Sequence, residues 1–301
     1  MSKTKAEVSG FIAIDKPAGI SSFDVIRRLR KITQIRKIGH CGTLDPFATG
    51  LLVCCIGSYT RLAKYIESET KTYFATIQLG GKTDTGDTES EVSQTAEIPR
   101  IVTDTAMLKD QVLSLCELPV PAYSAIKLDG KRAYALARNG TKVDMPVRPT
   151  QISAFEIIPE AQSEPINALG QLSYRCTVSK GTYIRSLSEW IALQLGTLGY
   201  TMQLRREAIG NIDIMQAVTL ESLTDENWQQ YFLSPRYVLN RFTVLELDDA
   251  QAISVANGGD LTLHAEIEIK NSLCALYSPN NTLLAIGEAL GNTIHPIIVL
   301  K

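Results

Sequence analysis

Between Gly39 and Pro46 the chain reads Gly-His-Cys-Gly-Thr-Leu-Asp-Pro, which sets one carboxylate, Asp45, between a glycine-containing turn and a proline. Just upstream, Arg27, Arg28, Arg30, Lys31, Arg36 and Lys37 form a basic run with no acid among those positions. Each feature alone has an ordinary reading. Asp45 caps a loop or helix before Pro46, and the basic run is a solvated helix face. Together, a carboxylate beside a cationic surface points to chemistry on a polyanion.

The elements that must position these residues can be read from periodicity. Gly10–Ile14 reads as a short strand stopped by Lys16-Pro17-Ala18-Gly19, and Ser21 or Ser22 caps the next helix. In that helix Val25, Ile26, Leu29 and Ile32 recur at helical spacing, with the basic residues mostly on the other faces. Residues Ile35–Gly50 show no clean period and read as a loop. Leu51–Ile56 is a buried strand and Thr60–Ile66 begins a helix. Thr72–Leu79 alternates like a half-buried strand. Thr83–Glu89 is a polar turn that lacks the spacing of a calcium loop.

Further along, Thr103–Leu115 reads as helix, Pro119–Ile126 as extended chain, and Lys131–Arg138 as a short helix ended by Asn139-Gly140. Ile152–Ile158, Leu172–Val178 and Met202–Ala208 are expected strands, and Tyr183–Leu195 is an amphipathic helix. Strands and helices mix without a regular βαβ repeat, which favours α+β with a mixed or antiparallel sheet. Past Pro235–Phe242, short strands punctuated by Asn-Gly-Gly and Pro-Asn-Asn follow one short helix, Asp248–Ala256. Two domains are expected: a catalytic domain over 1–238 and a small β-rich module over 239–301.

Bulk composition sets limits. The 301 residues are 45% hydrophobic and 21% charged, enough for a large core, and the net charge is −2. No global field attracts nucleic acid, so any RNA binding needs a local basic face. The six cysteines form no C-x-x-C pair and no close His–Cys cluster, so a metal is not expected. Scattered thiols and a polar N-terminus without an apolar core fit a cytoplasmic protein. The longest apolar runs are strand-sized and too short for a bilayer.

Four separated segments, in order, resemble the TruB family of tRNA pseudouridine synthases. They are Gly39–Pro46; Lys71-Thr72-Tyr73; Pro121–Lys127 with Gly130 and Tyr134; and Ser179–Leu187 with Leu204-Arg205-Arg206. The resemblance covers roughly residues 10–210. The end of the chain, with Asn257-Gly258 and Leu284–Gly287, more loosely resembles a PUA-type RNA-binding module.

The resemblance implies that uridine 55 in the T-arm of tRNA is isomerised to pseudouridine without a cofactor. Asp45 would be the nucleophile, which attacks C1′ or C6 or removes a sugar proton. Arg185 would be its ion-pair partner, and Tyr73 would stack on the flipped uracil and handle the C5 proton. Leu204 would form the opposite wall, and His40 would fill the vacated space in the RNA. Arg61, Lys127, Tyr183 and Arg205 would complete the RNA-binding set. Arg61 stands where lysine is usual and keeps the charge. A monomer acting on tRNA is expected. A non-catalytic RNA-folding module, a guide-RNA-dependent synthase and a base-releasing glycosylase are the other readings. The intact Asp45, Tyr73 and Arg185 set favours catalysis.

Overall fold

A computed structural model describes residues 8–98, 105–128, 130–139, 144–159, 165–263 and 272–300. The expected helix start at Thr103 and the stop at Gly140 lie outside these residues.

A mixed sheet organises the larger part of the chain. Its main path runs Ile152–Ile158, Gln171–Val178, Lys71–Leu79, Gly199–Ile209, Thr49–Ile56, Gly10–Lys16 and Phe232–Leu233. Neighbours along this path are antiparallel except Gly199–Ile209 against Thr49–Ile56, which run parallel and pair Arg205 with Thr49 and Arg206 with Gly50. That junction brings the loop preceding Thr49 beside Leu204–Arg206. It also explains Gly50, whose φ is +101° and where an added Cβ would lie 2.3 Å from the Arg206 carbonyl oxygen. Gly50→Ala should therefore lower unfolding stability by about 2–4 kcal/mol, read by urea denaturation.

The continuous apolar run of the Thr49–Ile56 strand follows from burial on both faces. Leu51, Val53 and Cys55 pack with Phe11 and Ala13 in a core that also contains Ala275, Tyr277 and Ile286 from the C-terminal sheet. Leu52, Cys54 and Ile56 pack with Ile12 and Ile14 against Val25, Ile26 and Leu29 of the Ser22–Thr33 helix. A third core joins Ala75, Ile77, Leu172 and Tyr174 of the sheet to Leu187 and Ile191 of the Ile184–Gln194 helix.

The structure settles one boundary left open and shifts others for local reasons. Ser21, not Ser22, caps the first helix: its Oγ accepts from Asp24 N, and the Asp24 carboxylate accepts from Ser21 N. Ile38–His40 is a short strand paired with Thr49–Ile56, inside the stretch expected to be loop. Three residues are too few to show a period. Pro119–Ile126 is not a continuous extended segment. A strand ends at Pro119, and residues 122–125 bend.

The C-terminal part forms a five-stranded sheet in the order Thr243–Glu246, Leu273–Tyr277, Leu283–Leu290, Thr293–Val299, Leu261–Thr262. Besides the shared core, Arg241 pairs with Glu69 at 2.7 Å, tying this sheet to the larger part of the chain. No described helix is long and apolar enough to cross a membrane.

Candidate active site

The loop carrying Asp45 is held from several directions. Ser22 Oγ donates to Leu44 O and accepts from Leu44 N. Gly19 N donates to Pro46 O, and Ala48 N donates to Asp45 O. The fully buried Lys16 adds Nζ bonds to the carbonyls of Pro17, Ile20 and Pro46. Burial pulls the Lys16 ammonium down to about 8, an effect partly opposed by the nearby Asp45 charge.

Asp45 faces Arg185, which projects from the first turn of the Ile184–Gln194 helix. The guanidinium Nε lies 3.0 Å from Asp45 Oδ2, and Nη2 lies 3.4 Å from Oδ1. Nη1 lies 3.3 Å from Asp87 Oδ2 and donates to Thr85 O, while Nη2 also donates to Tyr123 O. Three hydrogen bonds and two carboxylate ion pairs thus hold the guanidinium, which fixes the direction in which the fork points. Asp87 is 1% exposed and is held in turn by Thr85 Oγ1 and Glu89 N.

Burial pushes the Asp45 carboxyl above the usual carboxylate range, and the Asp87 charge adds to this. Arg185 and, more weakly, Lys16 pull it back. One third of the Asp45 side chain still opens to the cleft, so water and the guanidinium both support the anion.

Asp45 opens into a cleft of about 340 Å³ whose lining includes Tyr73, Tyr183 and Leu204. This volume suits a small group such as one base. Tyr73 and Leu204 are both nearly buried and belong to one apolar core with Leu44 and Ala48. Lys71 and Arg206 also line the cleft. Neither has a carboxylate partner among the described ion pairs. Lys71 Nζ donates to the carbonyls of Glu67 and Glu69, and Arg206 donates to those of Leu51 and Gly42. Burial, with Arg206 beside it, pulls Lys71 down to about 8. The cleft lining thus carries four cations, Lys71, Lys180, Arg185 and Arg206, against two carboxylates, Asp45 and Glu67, a balance that favours an anionic ligand.

Asp45, Tyr73, Arg185, Tyr183 and Leu204 are thus brought together, and four expected RNA contacts are not at the cleft. His40 sits on the strand leading to it, with Nδ1 buried and unpartnered. Burial and then Arg206 hold its imidazole below the usual histidine range, so it is neutral at pH 7. Lys127 is exposed in the short Lys127–Leu128 strand. Arg61 donates to Val299 O of the C-terminal sheet. Arg205 forks onto Asp15, at 3.0 and 2.7 Å.

Alternation along the strand puts Leu204 and Arg206 toward the cleft and Arg205 away from it. Arg205 is partly exposed, so Arg205→Ala should change unfolding stability by only about 0–1 kcal/mol in a denaturant titration. Sequence reasoning missed Asp87, Lys16, Lys71 and Arg206 as parts of this site. Lys71 and Arg206 stood beside residues already singled out, whereas Asp87 gave no local signal.

Comparison with known proteins decides the family. The model of the TruB family pseudouridylate synthase N-terminal domain matches residues 30–184. "tRNA pseudouridine synthase B" of Leifsonia xyli subsp. xyli is 36% identical, covering 96% of each chain. The same-named protein of Bacillus cytotoxicus is 35% identical over 93% of this chain and 92% of its own.

The chain belongs to the TruB family. It is a pseudouridine synthase, and Asp45 and Tyr73 lie within the matched residues. Solved structures support the fold across the whole length. The archaeal box H/ACA sRNP Nop10-Cbf5 complex matches with a TM-score of 0.66 at 22% identity, over 97% of this chain and 86% of that one. A Cbf5-Nop10-Gar1 complex matches at 0.68, again with 22% identity, over 97% and 85%. The C-terminal sheet of this TruB-family chain is PUA-like.

Proposed function

We propose that this enzyme isomerises uridine 55 in the T-arm of tRNA to pseudouridine, with Asp45 as the essential carboxylate and the uridine flipped into the cleft. The names of the relatives supply the tRNA substrate class. The observation that supports the chemistry is the anchoring of Arg185, which pairs with one carboxylate open to the cleft and a second one behind it while donating to two backbone carbonyls.

The reaction breaks N1–C1′, turns the uracil and forms C5–C1′. C5 loses its proton and N1 gains one, so no atoms are added and no redox partner is used. An ionised Asp45 attacks C1′ or C6, or removes a sugar proton. Its anion must survive in a site that sheds water, and Arg185 opposes the cost of burial. Tyr73 and Leu204 supply the walls for the extruded base, and the Tyr73 hydroxyl is the acceptor for the C5 proton. Extrusion from a folded loop costs a few kcal/mol, roughly, and stacking against an aromatic wall returns about 1–3 kcal/mol.

His40, on the approach to the cleft, fills the gap left in the RNA as a neutral ring. Lys127, with Lys131 and Arg132 of the neighbouring strand, reaches phosphates, which fixes position rather than sequence. We place residues 239–301 as a second RNA-contacting domain, with Arg61 at its boundary.

The test is tritium release from a T-arm stem-loop carrying 5-tritiated uridine, followed by mapping of the product. Release with pseudouridine at the T-loop position is expected. Tight binding without release, or product elsewhere in the RNA, contradicts the assignment.

A further inference from the structure

A serine of the cleft lining carries a buried hydroxyl that has no protein partner. Ser124 is 4% exposed and lines the cleft together with Asp45, Tyr73 and Leu204. Its Oγ is buried and has no hydrogen-bond partner. Two other hydroxyls of the lining are engaged. Thr182 Oγ1 meets Thr150 Oγ1, and Ser179 Oγ accepts from Gln151 N. Thr201 is also buried and unpartnered, but it is not part of the cleft lining.

The backbone around Ser124 is fixed by the catalytic cluster itself. Tyr123 O accepts from Arg185 Nη2 at 3.0 Å, and Ser124 O accepts from Tyr134 N at 3.0 Å. Ser124 is therefore tied to the same guanidinium that aims Asp45. A buried hydroxyl without a partner lowers stability, and natural cores satisfy most such groups. Here the missing partner is expected from outside the protein, on the cleft side.

We propose that Ser124 reads the uracil, donating its hydroxyl proton to a ring carbonyl oxygen of the flipped base. This rests on the reading that the target uridine enters the cleft beside Asp45. Uracil presents acceptor, donor and acceptor along O2, N3–H and O4. Attaching C5 where N1 was attached requires a half-turn of the ring about its N3–C6 axis, and that turn exchanges O2 with O4. A donor beside one carbonyl position therefore finds a carbonyl there before and after the turn. A single serine thus serves both orientations without moving, which suits a group on a backbone held at two points. Its role is to position the ring, while Asp45 does the chemistry.

The experiment measures kcat/KM by tritium release for wild type and Ser124→Ala. The substrates are T-arm stem-loops carrying 5-tritiated uridine, 2-thiouridine or 4-thiouridine at the target, and Tm is measured in parallel. Sulfur accepts hydrogen bonds poorly, so each thio base weakens one carbonyl contact. Ser124→Ala should lower kcat/KM on uridine by roughly five- to tenfold, with Tm unchanged or raised because an unsatisfied hydroxyl has gone. At least one thio base should cost wild type a similar factor and cost Ser124→Ala little, since the contact is already absent.

Full activity of Ser124→Ala, or losses that multiply in full for both thio bases, overturns the assignment. A Tm that falls together with activity also overturns it, because it shows the hydroxyl serving the fold. Wild type that fails on the uridine RNA overturns the proposed function and this assignment with it. Wild type that works while the losses multiply overturns the assignment alone.

Discussion

Asp45→Asn should bind the T-arm stem-loop as wild type does and release tritium at least about 10⁴-fold more slowly in single turnover, the scale seen when a group central to catalysis is removed. The amide fits the same space but is neither nucleophile nor base. Arg185 keeps Thr85 O, Tyr123 O and Asp87 as acceptors, so the cleft retains its shape. The same substitution should leave Tm at pH 7.5 equal to or above wild type. The sign follows from linkage. The folded-state pKa of Asp45 is raised above its ordinary value of 3.8, so the folded chain holds this proton more tightly than the unfolded chain. The resulting stability is fully present below 3.8 and is lost as pH rises through the raised value. At neutral pH the ionised carboxylate therefore opposes folding, and a neutral amide removes that cost. A melt in which Asp45→Asn is clearly less stable at pH 7.5 would show the Arg185 ion pair outweighing burial. Residual isomerisation near the wild-type rate would sink the role of Asp45 altogether.

The parts of this site that were legible in the sequence are those written as local words. Asp45 stands in a glycine-bounded turn, Tyr73 on an alternating strand, and Arg185 at the start of an amphipathic helix. Their convergence could be inferred only through the family resemblance. Asp87 was illegible for a physical reason. It lies in a polar turn whose residues resemble any solvent-facing turn, and its burial depends on a guanidinium 98 positions away, the difference between 185 and 87. Local pattern carries no trace of such a pairing.

The choice between Arg205 and Arg206 turned on one step of strand alternation. The sequence shows two adjacent arginines, and only the pairing of Arg206 with Gly50 decides which one faces the cleft. Ser124 was hidden differently. A segment read as extended bends at 122–125 because Tyr123 O is drawn to Arg185 and Tyr134 N to Ser124 O. The mixed sheet and the β-rich end were legible because they rest on periodicity and turn residues, which are local.

Arg185→Met should be the most destabilising change at the site. It leaves Asp45 and the nearly fully buried Asp87 without their shared cation. Breaking one side of a buried pair typically costs about 3–5 kcal/mol of stability, and loss of one electrostatic stabiliser typically costs about 10²–10³-fold in kcat. The pH dependence separates this from general damage. In the proposed reaction activity requires ionised Asp45, so the rate should fall on the acid side as that carboxyl takes up its proton. Arg185 pulls the Asp45 pKa down, and its removal should move the acid limb to higher pH. Asp87 pushes the Asp45 pKa up, so Asp87→Asn should move the same limb to lower pH even as kcat drops, because Arg185 has lost one anchor. Opposite shifts in two variants that both lose activity are the signature of one cation shared by two carboxylates. Profiles of kcat/KM against pH for the stem-loop substrate read this directly, and shifts in the same direction would reject it. The double variant Arg185→Met/Asp87→Asn should be more stable than Arg185→Met alone, since it removes the carboxylate that the first substitution stranded.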